Sequence, residues 1–364
     1  MSITILHTES SPGWGGQENR ILNECIGLKK LGAKVFILCQ PESGLARKAQ
    51  DAGIEVFTHP MRKSYDIKSI YYTARLICKL NINVVNTHSG KDTYIAGFAG
   101  KLSKKHPLIV RTRHLALPIT STFSYKYLSD IIVTVSEYVR NYLISRGIKP
   151  EKVFTVPTGI DIERFNPDKV EASLREELGL SKSTPLIGTV AVLRKKKGHH
   201  ILLEAIPEVL REIPEAIFVF VGDGPQRKNI EEKIKQYGLS KKVIMLGHRN
   251  DIPQILNSID LFVLPTLQEA LGTSFLEAMA IGKPVIGSDV DGVREVIDHG
   301  VNGYLVPPDN HHLLASAIIK ILKNQELAYQ MGQEGRKKVE NKYTLKHMCE
   351  NMLNLYLEKI NKNL

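Results

Sequence analysis

The chain has 364 residues, of which 43% are hydrophobic and 24% are charged, and its formal net charge is +11. Because single hydrophobic cores stop growing at about 250–300 residues, this length predicts two domains with a cleft between them. The composition excludes a disordered, a collagen-like and a coiled-coil chain.

Cysteine usage and the lengths of apolar runs bear on where the protein works. The 4 cysteines lie far apart and form no C-x-x-C pair, so neither a zinc site nor a disulfide framework is indicated. The N-terminus lacks the basic and apolar regions of a secretory signal, and no apolar run approaches the roughly 18 residues of a transmembrane helix. We therefore expect a cytoplasmic protein whose only membrane contact is peripheral, on the inner face of the cell membrane.

Apolar runs of strand length alternate with amphipathic helical stretches along most of the chain. This pattern is typical of βαβ units and of parallel sheets that are covered on both faces. The first half carries predicted strands at 3–7, 35–39, 56–58, 84–87, 108–111, 131–135 and 153–156. The pattern restarts near residue 185, with predicted strands at 186–192, 217–221, 243–246, 261–264, 284–287 and 304–306. We expect two Rossmann-like, doubly wound α/β domains that face each other across a cleft and bind ligands at the carboxyl ends of their strands.

The segment 166–184 differs in composition from both halves and is predicted to link them. The expected domains are residues 1–167 and 168–344, and the C-terminal helix 345–364 is expected to pack back on the first domain. Residues 1–168 hold 23 Lys and Arg against 14 Asp and Glu, so most of the positive charge is N-terminal. Such a field favours polyanions, an anionic membrane surface or acidic substrates.

A glycine-rich loop follows the first predicted strand and opens the first helix. It contains Gly13, Gly15 and Gly16, which permit close approach of a ligand to the backbone, and a helix N-terminus favours an anion. The spacing is not the G-x-G-x-x-G of nicotinamide dehydrogenases. A strand-to-helix turn without any ligand is the alternative for this loop.

A cationic cluster runs from Arg194 to Lys197 after the first predicted strand of the second half. Arginine offers a bidentate fork and lysine a point charge, and this combination suits a diphosphate at the N-terminus of the next helix. A solvated basic loop is the alternative.

The most specific motif extends from Glu269 to Glu277, between a predicted strand and a predicted helix. The turn Gly272-Thr273-Ser274 is expected to expose backbone N–H groups at the helix start, where phosphate binds. The two glutamates would flank that anion, one toward a sugar and the other toward a ribose. The alternative is a capping box, in which Glu277 only bonds the N–H of Ser274.

The order of motifs in the second half resembles the donor domain of the retaining family 4 glycosyltransferases of GT-B fold, and the resemblance covers essentially the whole chain. Its specific part is the pair of glutamates in the context Pro-Thr-x-x-Glu-Ala-x-Gly-x-Ser. The resemblance implies transfer of a hexose-type sugar from a UDP- or GDP-linked donor to a hydroxyl of a saccharide or lipid-linked acceptor, with retention of anomeric configuration. It also implies a role in cell-envelope polysaccharide or lipopolysaccharide biosynthesis.

The resemblance assigns roles to individual residues of the second half. Arg194 and Lys197 match the cations of the donor diphosphate. Glu269 matches the glutamate near the transferred sugar, and Glu277 matches the one that bonds the ribose. The amides of 272–274 would help to hold phosphate and sugar hydroxyls.

Three residues of the first half also match the family pattern. His114 follows a predicted strand where the family has a histidine that reaches the donor sugar. Gly15 and Gly16 match the glycine loop beside the diphosphate. Thr158 departs from the pattern, because an asparagine is commoner there, and this leaves the role of its loop open.

Asp289 and Asp291, which are separated by one residue, resemble the D-x-D metal motif of the other major glycosyltransferase fold, but they lie too late in the chain. We expect neither a metal nor another cofactor, since cations and a helix dipole can offset the charge of the leaving diphosphate. Retention is compatible with a double displacement through a carboxylate nucleophile or with front-face attack, in which the diphosphate takes the acceptor proton. The sequence therefore leaves open whether Glu269 is a nucleophile or an electrostatic stabiliser.

Two other functions compete with glycosyl transfer. A sugar-nucleotide epimerase on the same scaffold is one, because a fold does not fix a function. A basic nucleic-acid-binding protein is the other, but no aromatic-rich basic strand surface or helix-turn-helix is present, so we expect no nucleic acid partner. The segment 94–105 combines apolar residues at helical spacing with a basic end, and it predicts either an interfacial element on anionic lipid or a core helix with a solvated tip.

Overall fold

The structure is a computed structural model that describes residues 3–363. The chain forms two compact units. It passes from the first unit to the second after Gly159 and returns after Thr344, so the first unit also contains the C-terminal residues from Leu345 onward.

The first unit is built on a sheet of seven parallel strands in the order β3-β2-β1-β4-β5-β6-β7. The strands are β1 Thr4–Glu9, β2 Lys34–Cys39, β3 Glu55–Thr58, β4 Val84–Thr87, β5 Leu108–Arg113, β6 Ile131–Thr134 and β7 Val153–Thr155. The helices that connect them are α1 Gly16–Lys30, α2 Gly44–Asp51, α3 Ile67–Leu80, α4 Gly90–Leu102 and α5 Glu137–Ser145. Every residue of β1, β4 and β6 is buried, as expected for parallel strands that are covered on both faces.

The second unit has a sheet of six parallel strands in the order β10-β9-β8-β11-β12-β13. The strands are β8 Leu186–Val190, β9 Ile217–Val221, β10 Val243–Gly247, β11 Leu261–Leu264, β12 Val285–Ser288 and β13 Gly303–Val306. The helices are α6 Leu174–Glu177, α7 His199–Glu212, α8 Arg227–Gln236, α9 Ile252–Ser258, α10 Thr273–Ala280, α11 Val293–Val296, α12 His311–Leu322 and α13 Gln325–Lys342.

Both sheets have the doubly wound strand order, in which the direction of winding reverses beside the first strand. The reversal lies between β1 and β4 in the first unit and between β8 and β11 in the second. Ligands of such sheets bind at this switch point, outside the carboxyl ends of the strands. All 13 predicted strands are present, and their ends differ from the prediction by no more than 2 residues.

The last helix, α14 Leu345–Asn363, packs against α1 of the first unit. The hydroxyl of Tyr356 donates to Glu24 over 3.1 Å and accepts from Asn86 over 2.8 Å. A Cβ on Gly27 would lie 2.2 Å from the sulfur of Cys349, so the two helices can approach this closely only because residue 27 is glycine.

The segment 166–184 lies within the second unit. Leu174 is buried, and its N–H donates to the hydroxyl of Ser258 over 3.1 Å. Arg175 pairs with Asp260 over 2.7 Å. This segment therefore packs on α9 and the neighbouring strand end, although its composition suggested a linker.

Charge is divided more sharply between these units than between the sequence halves. The first unit holds 25 Lys and Arg against 13 Asp and Glu, and the second holds 24 against 25. The whole positive excess therefore belongs to the first unit. Among the described helices, none has the length and apolar character needed to cross a bilayer.

Candidate active site

Two neighbouring loops meet at the switch point of the second unit. The loop after β8 contains a 3-10 turn at Lys195–Lys197. The carbonyl oxygen of Lys196 accepts hydrogen bonds from the Leu267 N–H over 2.7 Å and from the Thr266 hydroxyl over 3.0 Å. A Cβ on Gly198 would lie 1.8 Å from the carbonyl oxygen of Pro265, and the backbone there is left-handed with φ +71°. Glycine at this position therefore lets the basic loop lie directly against the loop after β11.

This contact brings two of the predicted site residues together. Lys197 donates a hydrogen bond to Oε2 of Glu269, and each side chain is only 17% exposed. The other carboxylate oxygen, Oε1, accepts from the N–H of Ala270 over 3.2 Å. The side chain of Arg194 is exposed and has no hydrogen-bond or ion-pair partner within residues 3–362. Lys197 is thus already engaged with an acid, whereas Arg194 is free to meet a ligand.

The backbone of Glu269 is held by the loop after β12. Its N–H donates to Asp291 Oδ2 over 3.1 Å, and its carbonyl accepts from the N–H of Gly292 over 3.1 Å. Asp291 adopts a left-handed φ of +43°, which aspartate tolerates better than most residues. Asp289 pairs with Arg294 over 2.6 Å. Both acids of the D-x-D pattern therefore have local partners, and Asp291 positions a predicted site residue.

The start of α10 exposes unpaired backbone donors, as the motif predicts. Gly272 is the N-cap residue with φ +91°, and no side chain caps the helix. The N–H groups of Thr273 and Ser274 have no acceptor within the part of the chain that the structure describes. Such groups carry partial positive charge and bind anions.

Glu277 lies one turn into α10 and is half-buried. Its carboxylate accepts no hydrogen bond from any described residue, so the capping-box alternative is wrong: the helix already begins at Thr273, which places Ser274 inside it. Burial raises the pKa of Glu277 to about 7, and the Arg164 guanidinium opposes this rise. The sequence reasoning missed this effect of Arg164, although the residue follows closely after Thr158.

The switch point of the first unit carries three histidines. His7 lies in β1, His88 follows β4 and His114 follows β5. Nδ1 of His7 is 3.0 Å from Nε2 of His88, and Nδ1 of His88 is 3.0 Å from Nε2 of His114. Burial lowers the pKa of all three imidazoles, those of His88 and His114 well below the usual range, and the Arg20 guanidinium contributes. The sequence singled out His114 alone, because its two partners become visible only when the strand order is known.

The glycine loop of the first unit begins α1. Gly15 is the N-cap residue, and a Cβ on Gly16 would meet no atom within 4 Å. The packing of this unit therefore does not require glycine at position 16, which favours a ligand over a bare turn. Beside the loop, Glu9 accepts from the Ser11 N–H over 2.8 Å and from Gln17. Burial and nearby Asp92 raise the pKa of Glu9 to about 8.

Thr158 has a defined partner in the first unit. Its hydroxyl oxygen accepts a hydrogen bond from Nη1 of Arg20 over 2.9 Å. Arg20 is buried and lies 3.6 Å from Glu24, so the threonine helps to satisfy a charge that has no access to water. Within residues 3–362, no three His, Cys, Asp or Glu side chains are grouped as in a metal site.

Family models match both units of the chain. Residues 170–338 match the family described as glycosyl transferases group 1, and residues 14–164 match the glycosyltransferase family 4 model. The chain is a family 4 glycosyltransferase. The family is a retaining one, and its members use nucleotide-sugar donors.

Relatives of known sequence and structure span the whole glycosyltransferase chain. It is 26% identical to the UDP-Gal:alpha-D-GlcNAc-diphosphoundecaprenol alpha-1,3-galactosyltransferase of Escherichia coli, over 98% of this chain and 97% of the relative. A glycosyltransferase from Rickettsia africae has the same fold, with a TM-score of 0.89, 24% identity and complete coverage of both chains. Anabaena Alr3699/HepE, solved with UDP and glucose, superimposes with a TM-score of 0.85 and 20% identity over 97% of this chain and 99% of that one. These neighbours confirm the predicted pair of Rossmann-like domains as the GT-B fold.

The predicted site residues of this glycosyltransferase therefore fall into two groups. In the second unit, Lys197 contacts Glu269, and the positive charge of Arg164 lowers the pKa of Glu277. In the first unit, His114 contacts His88.

Proposed function

We propose that the protein transfers a hexose from a UDP- or GDP-linked donor to a hydroxyl of a saccharide or lipid-linked acceptor, with retention of configuration, in cell-envelope polysaccharide or lipopolysaccharide synthesis. The observation that carries the proposal is the arrangement at the carboxyl end of β11. There Glu269, which is paired with Lys197 of the neighbouring loop, the free amides at the start of α10 and an unpaired Glu277 lie within one loop and helix. The names of the Escherichia coli and Anabaena relatives, with UDP-Gal, UDP and glucose, support a sugar nucleotide as the donor.

Glu277 would bind the ribose of the donor. A half-buried carboxylate without a protein partner is costly, and two ribose hydroxyls can supply the missing donors. Arg164 would stabilise the ionised form of Glu277, because its positive charge lowers the pKa of that carboxyl.

Arg194, Lys197 and the N–H groups of Thr273 and Ser274 would bind the diphosphate. The bond from the anomeric carbon to the diphosphate oxygen breaks with its electron pair on that oxygen, so these groups stabilise charge where it develops. Lys197 would be shared between Glu269 and the diphosphate. This arrangement would require no metal ion and no other cofactor.

Glu269 would act as an electrostatic stabiliser rather than a nucleophile. Both of its carboxylate oxygens accept hydrogen bonds, one from Lys197 and one from the Ala270 N–H, which makes the carboxylate a poorer nucleophile. We therefore favour front-face attack: the acceptor oxygen bonds the anomeric carbon, and its proton passes to the departing diphosphate oxygen. His114 would bond the transferred sugar, and the backbone at Gly15 and Gly16 would adjoin the diphosphate.

The acceptor side would be the first unit, which carries the whole positive excess. The predicted segment 94–105 is mostly a core helix, because Ile95, Ala96 and Ala99 are buried. The outer side of α4 nevertheless contributes to an aromatic surface, which we define by Tyr65, Tyr94, Phe98, Phe123 and Tyr127. Successive rings in it are 5.2 to 6.5 Å apart, and Tyr65 and Tyr127 are 68% and 63% exposed.

Exposed lysines flank this aromatic surface in sequence. Lys63 and Lys68 lie on either side of Tyr65, and Lys126 precedes Tyr127. Aromatic rings beside basic residues suit the interface of an anionic bilayer. We propose that this surface holds the enzyme peripherally on the cytoplasmic face of the membrane, where a lipid-linked acceptor is found.

Vesicle binding tests the membrane proposal. Phosphatidylglycerol vesicles should bind the protein at low salt and release it at high salt, and phosphatidylcholine vesicles should bind it weakly. The double variant Tyr65→Ser, Tyr127→Ser should bind several-fold more weakly, while Tyr329→Ser, which changes a 64% exposed tyrosine of the second unit, should bind normally. Absence of binding to anionic vesicles at low salt would refute the proposal.

A donor screen tests the transfer proposal itself. Thermal shift with UDP, GDP and the other nucleoside diphosphates identifies the base, because stabilisation follows ligand concentration over affinity. Sugar nucleotides of that base are then incubated with lipid-linked and free saccharide acceptors, and the product linkage is read by NMR. Release of a different sugar nucleotide without any acceptor would instead identify an epimerase.

A further inference from the structure

Three histidines of the first unit form a continuous chain of hydrogen bonds. The His7 and His88 ring centres are 5.3 Å apart, the bonded nitrogens are 3.0 Å apart, and the ring planes differ by 9°. The facing nitrogens therefore lie close to the line between the ring centres. His88 and His114 have similar spacing, with ring centres 5.2 Å apart and nitrogens 3.0 Å apart, and their ring planes differ by 33°.

The two ends of the chain differ in their surroundings. At the inner end, Nε2 of His7 is buried and has no partner in the described structure. At the outer end, His114 is half-buried, and its Nδ1 has no partner within residues 3–362. The three hydrogen-bonded histidines therefore link the buried Nε2 of His7 to the outer nitrogen, Nδ1, of His114.

Only two arrangements of protons satisfy both hydrogen bonds when all three rings are neutral, because each neutral imidazole carries one N–H. In the outward arrangement, His7 donates to His88, His88 donates to His114, and every ring is protonated on Nδ1. In the inward arrangement, every ring is protonated on Nε2. The inward arrangement leaves a buried N–H of His7 without an acceptor, whereas the outward one leaves only an unused acceptor.

Charged neighbours keep the three histidine rings neutral and do not favour the inward arrangement of protons. The positive charge of Arg20 lowers the pKa of all three rings, and Arg113 acts in the same direction on His114. Glu24 opposes Arg20 at His7, but the two are themselves paired at 3.6 Å. Orphaned buried N–H groups are rarer than under-used acceptors, so the outward arrangement is favoured.

We propose that His7 and His88 are positioning residues that fix His114 as its Nδ1–H tautomer, so that His114 presents a hydrogen-bond donor, and no lone pair, to its ligand. His114 then bonds an oxygen of the ligand without acting as a general base. The identity of this ligand as the donor sugar rests on the proposed function. The tautomer of His114 does not.

Nitrogen NMR of protein labelled with 15N-histidine tests the tautomer directly, because protonated and bare ring nitrogens have distinct shifts. The chain has 12 histidines, and subtraction of the spectrum of His114→Asn assigns the signals of His114. We expect His114 to be neutral at pH 7 and protonated on Nδ1. A proton on Nε2, or an imidazolium at pH 7, would overturn the proposal.

Two variants of His88 separate the effect of its hydrogen bond to His114 from the effect of its side-chain volume. In His88→Asn the amide nitrogen replaces the Nδ1 donor, and in His88→Leu no donor remains. We expect His88→Asn to keep the Nδ1–H signal of His114 and most of kcat/KM. We expect His88→Leu to shift His114 toward the Nε2–H tautomer and to lower kcat/KM by roughly tenfold, as for one hydrogen bond.

An unchanged His114 tautomer in folded His88→Leu would contradict the proposal. If that variant does not fold, the spectrum of the wild-type protein still decides the tautomer. If the protein transfers no sugar, the NMR result stands alone, so failure of the proposed function and failure of the histidine chain remain distinguishable.

Discussion

Lys197 donates a hydrogen bond to Glu269, and both side chains are sheltered to the same degree, each 17% exposed. This contact joins the loop after β8 to the loop after β11, the two strands at the switch point of the second unit. A cation assigned to the diphosphate and an acid assigned to the sugar therefore compensate each other before any ligand binds. Removal of either side chain would leave the other sheltered charge without a partner.

Arg194→Ala and Lys197→Ala should differ in stability although both weaken donor binding. Each should lose about 1.5–3 kcal/mol of nucleoside diphosphate affinity, the range for hydrogen bonds to charged groups. Only Lys197→Ala should also lower the melting temperature, because it leaves Glu269 sheltered and unpaired. Calorimetric titration and thermal unfolding measure both effects, with exposed Arg211→Ala as the control. Unchanged diphosphate affinity in both variants would refute the diphosphate assignment.

Asp291 should affect turnover through the backbone of Glu269. Asp291→Ala removes the acceptor for the Glu269 N–H and should lower kcat by roughly tenfold, while Asp291→Asn retains an oxygen acceptor and should keep most of the activity. EDTA should leave the turnover of the wild-type protein unchanged. Activity that requires added Mg²⁺ or Mn²⁺ and is abolished equally in both variants would instead make Asp291 a metal ligand.

Glu9 should make the first unit less stable as pH rises. Its pKa is raised to about 8 in the folded state, so between about pH 4.5 and 8 the folded state binds more protons than the unfolded state. The free energy of unfolding should therefore fall across this window, and Glu9→Gln should reduce the fall. The only tryptophan, Trp14, lies in the adjoining loop, so its fluorescence in urea titrations reports on this unit. An equally steep fall in Glu9→Gln would contradict the assignment.

The strands and the loops that carry the candidate site residues could be predicted from the sequence, because a parallel sheet produces a strong alternation of apolar runs and helical stretches. The sequence could not predict contacts that depend on strand order. His7 lies within β1 and His88 directly after β4, 81 positions apart in sequence, and only the β1–β4 pairing brings them together. Likewise, Ser274 and Glu277 satisfy the capping-box pattern, but the left-handed Gly272, two residues before Ser274, is the N-cap residue, so that the helix begins at Thr273. Composition also misplaced 166–184, since a buried leucine and an ion pair at the surface attach it to the second unit.

In the proposed donor site, Glu277 is the ligand of the nucleoside. Calorimetric titration of the preferred nucleoside diphosphate from pH 5.5 to 8.5, in the wild-type protein and in Glu277→Gln, measures this role. A ribose donates to the carboxylate, so wild-type affinity should rise as Glu277 ionises near pH 7. The phosphates of the ligand also titrate, and they do so equally with wild-type protein and with Glu277→Gln. The difference in affinity between the two proteins therefore reports the ionisation of Glu277 alone.

The expected loss in Glu277→Gln is about 1.5–3 kcal/mol at pH 8, or roughly 10- to 100-fold in Kd, with a smaller difference at pH 5.5. The matched control is Glu215→Gln, which changes an exposed glutamate of the same unit and should bind as the wild-type protein does. Equal affinity of Glu277→Gln and the wild-type protein at every pH would contradict the account.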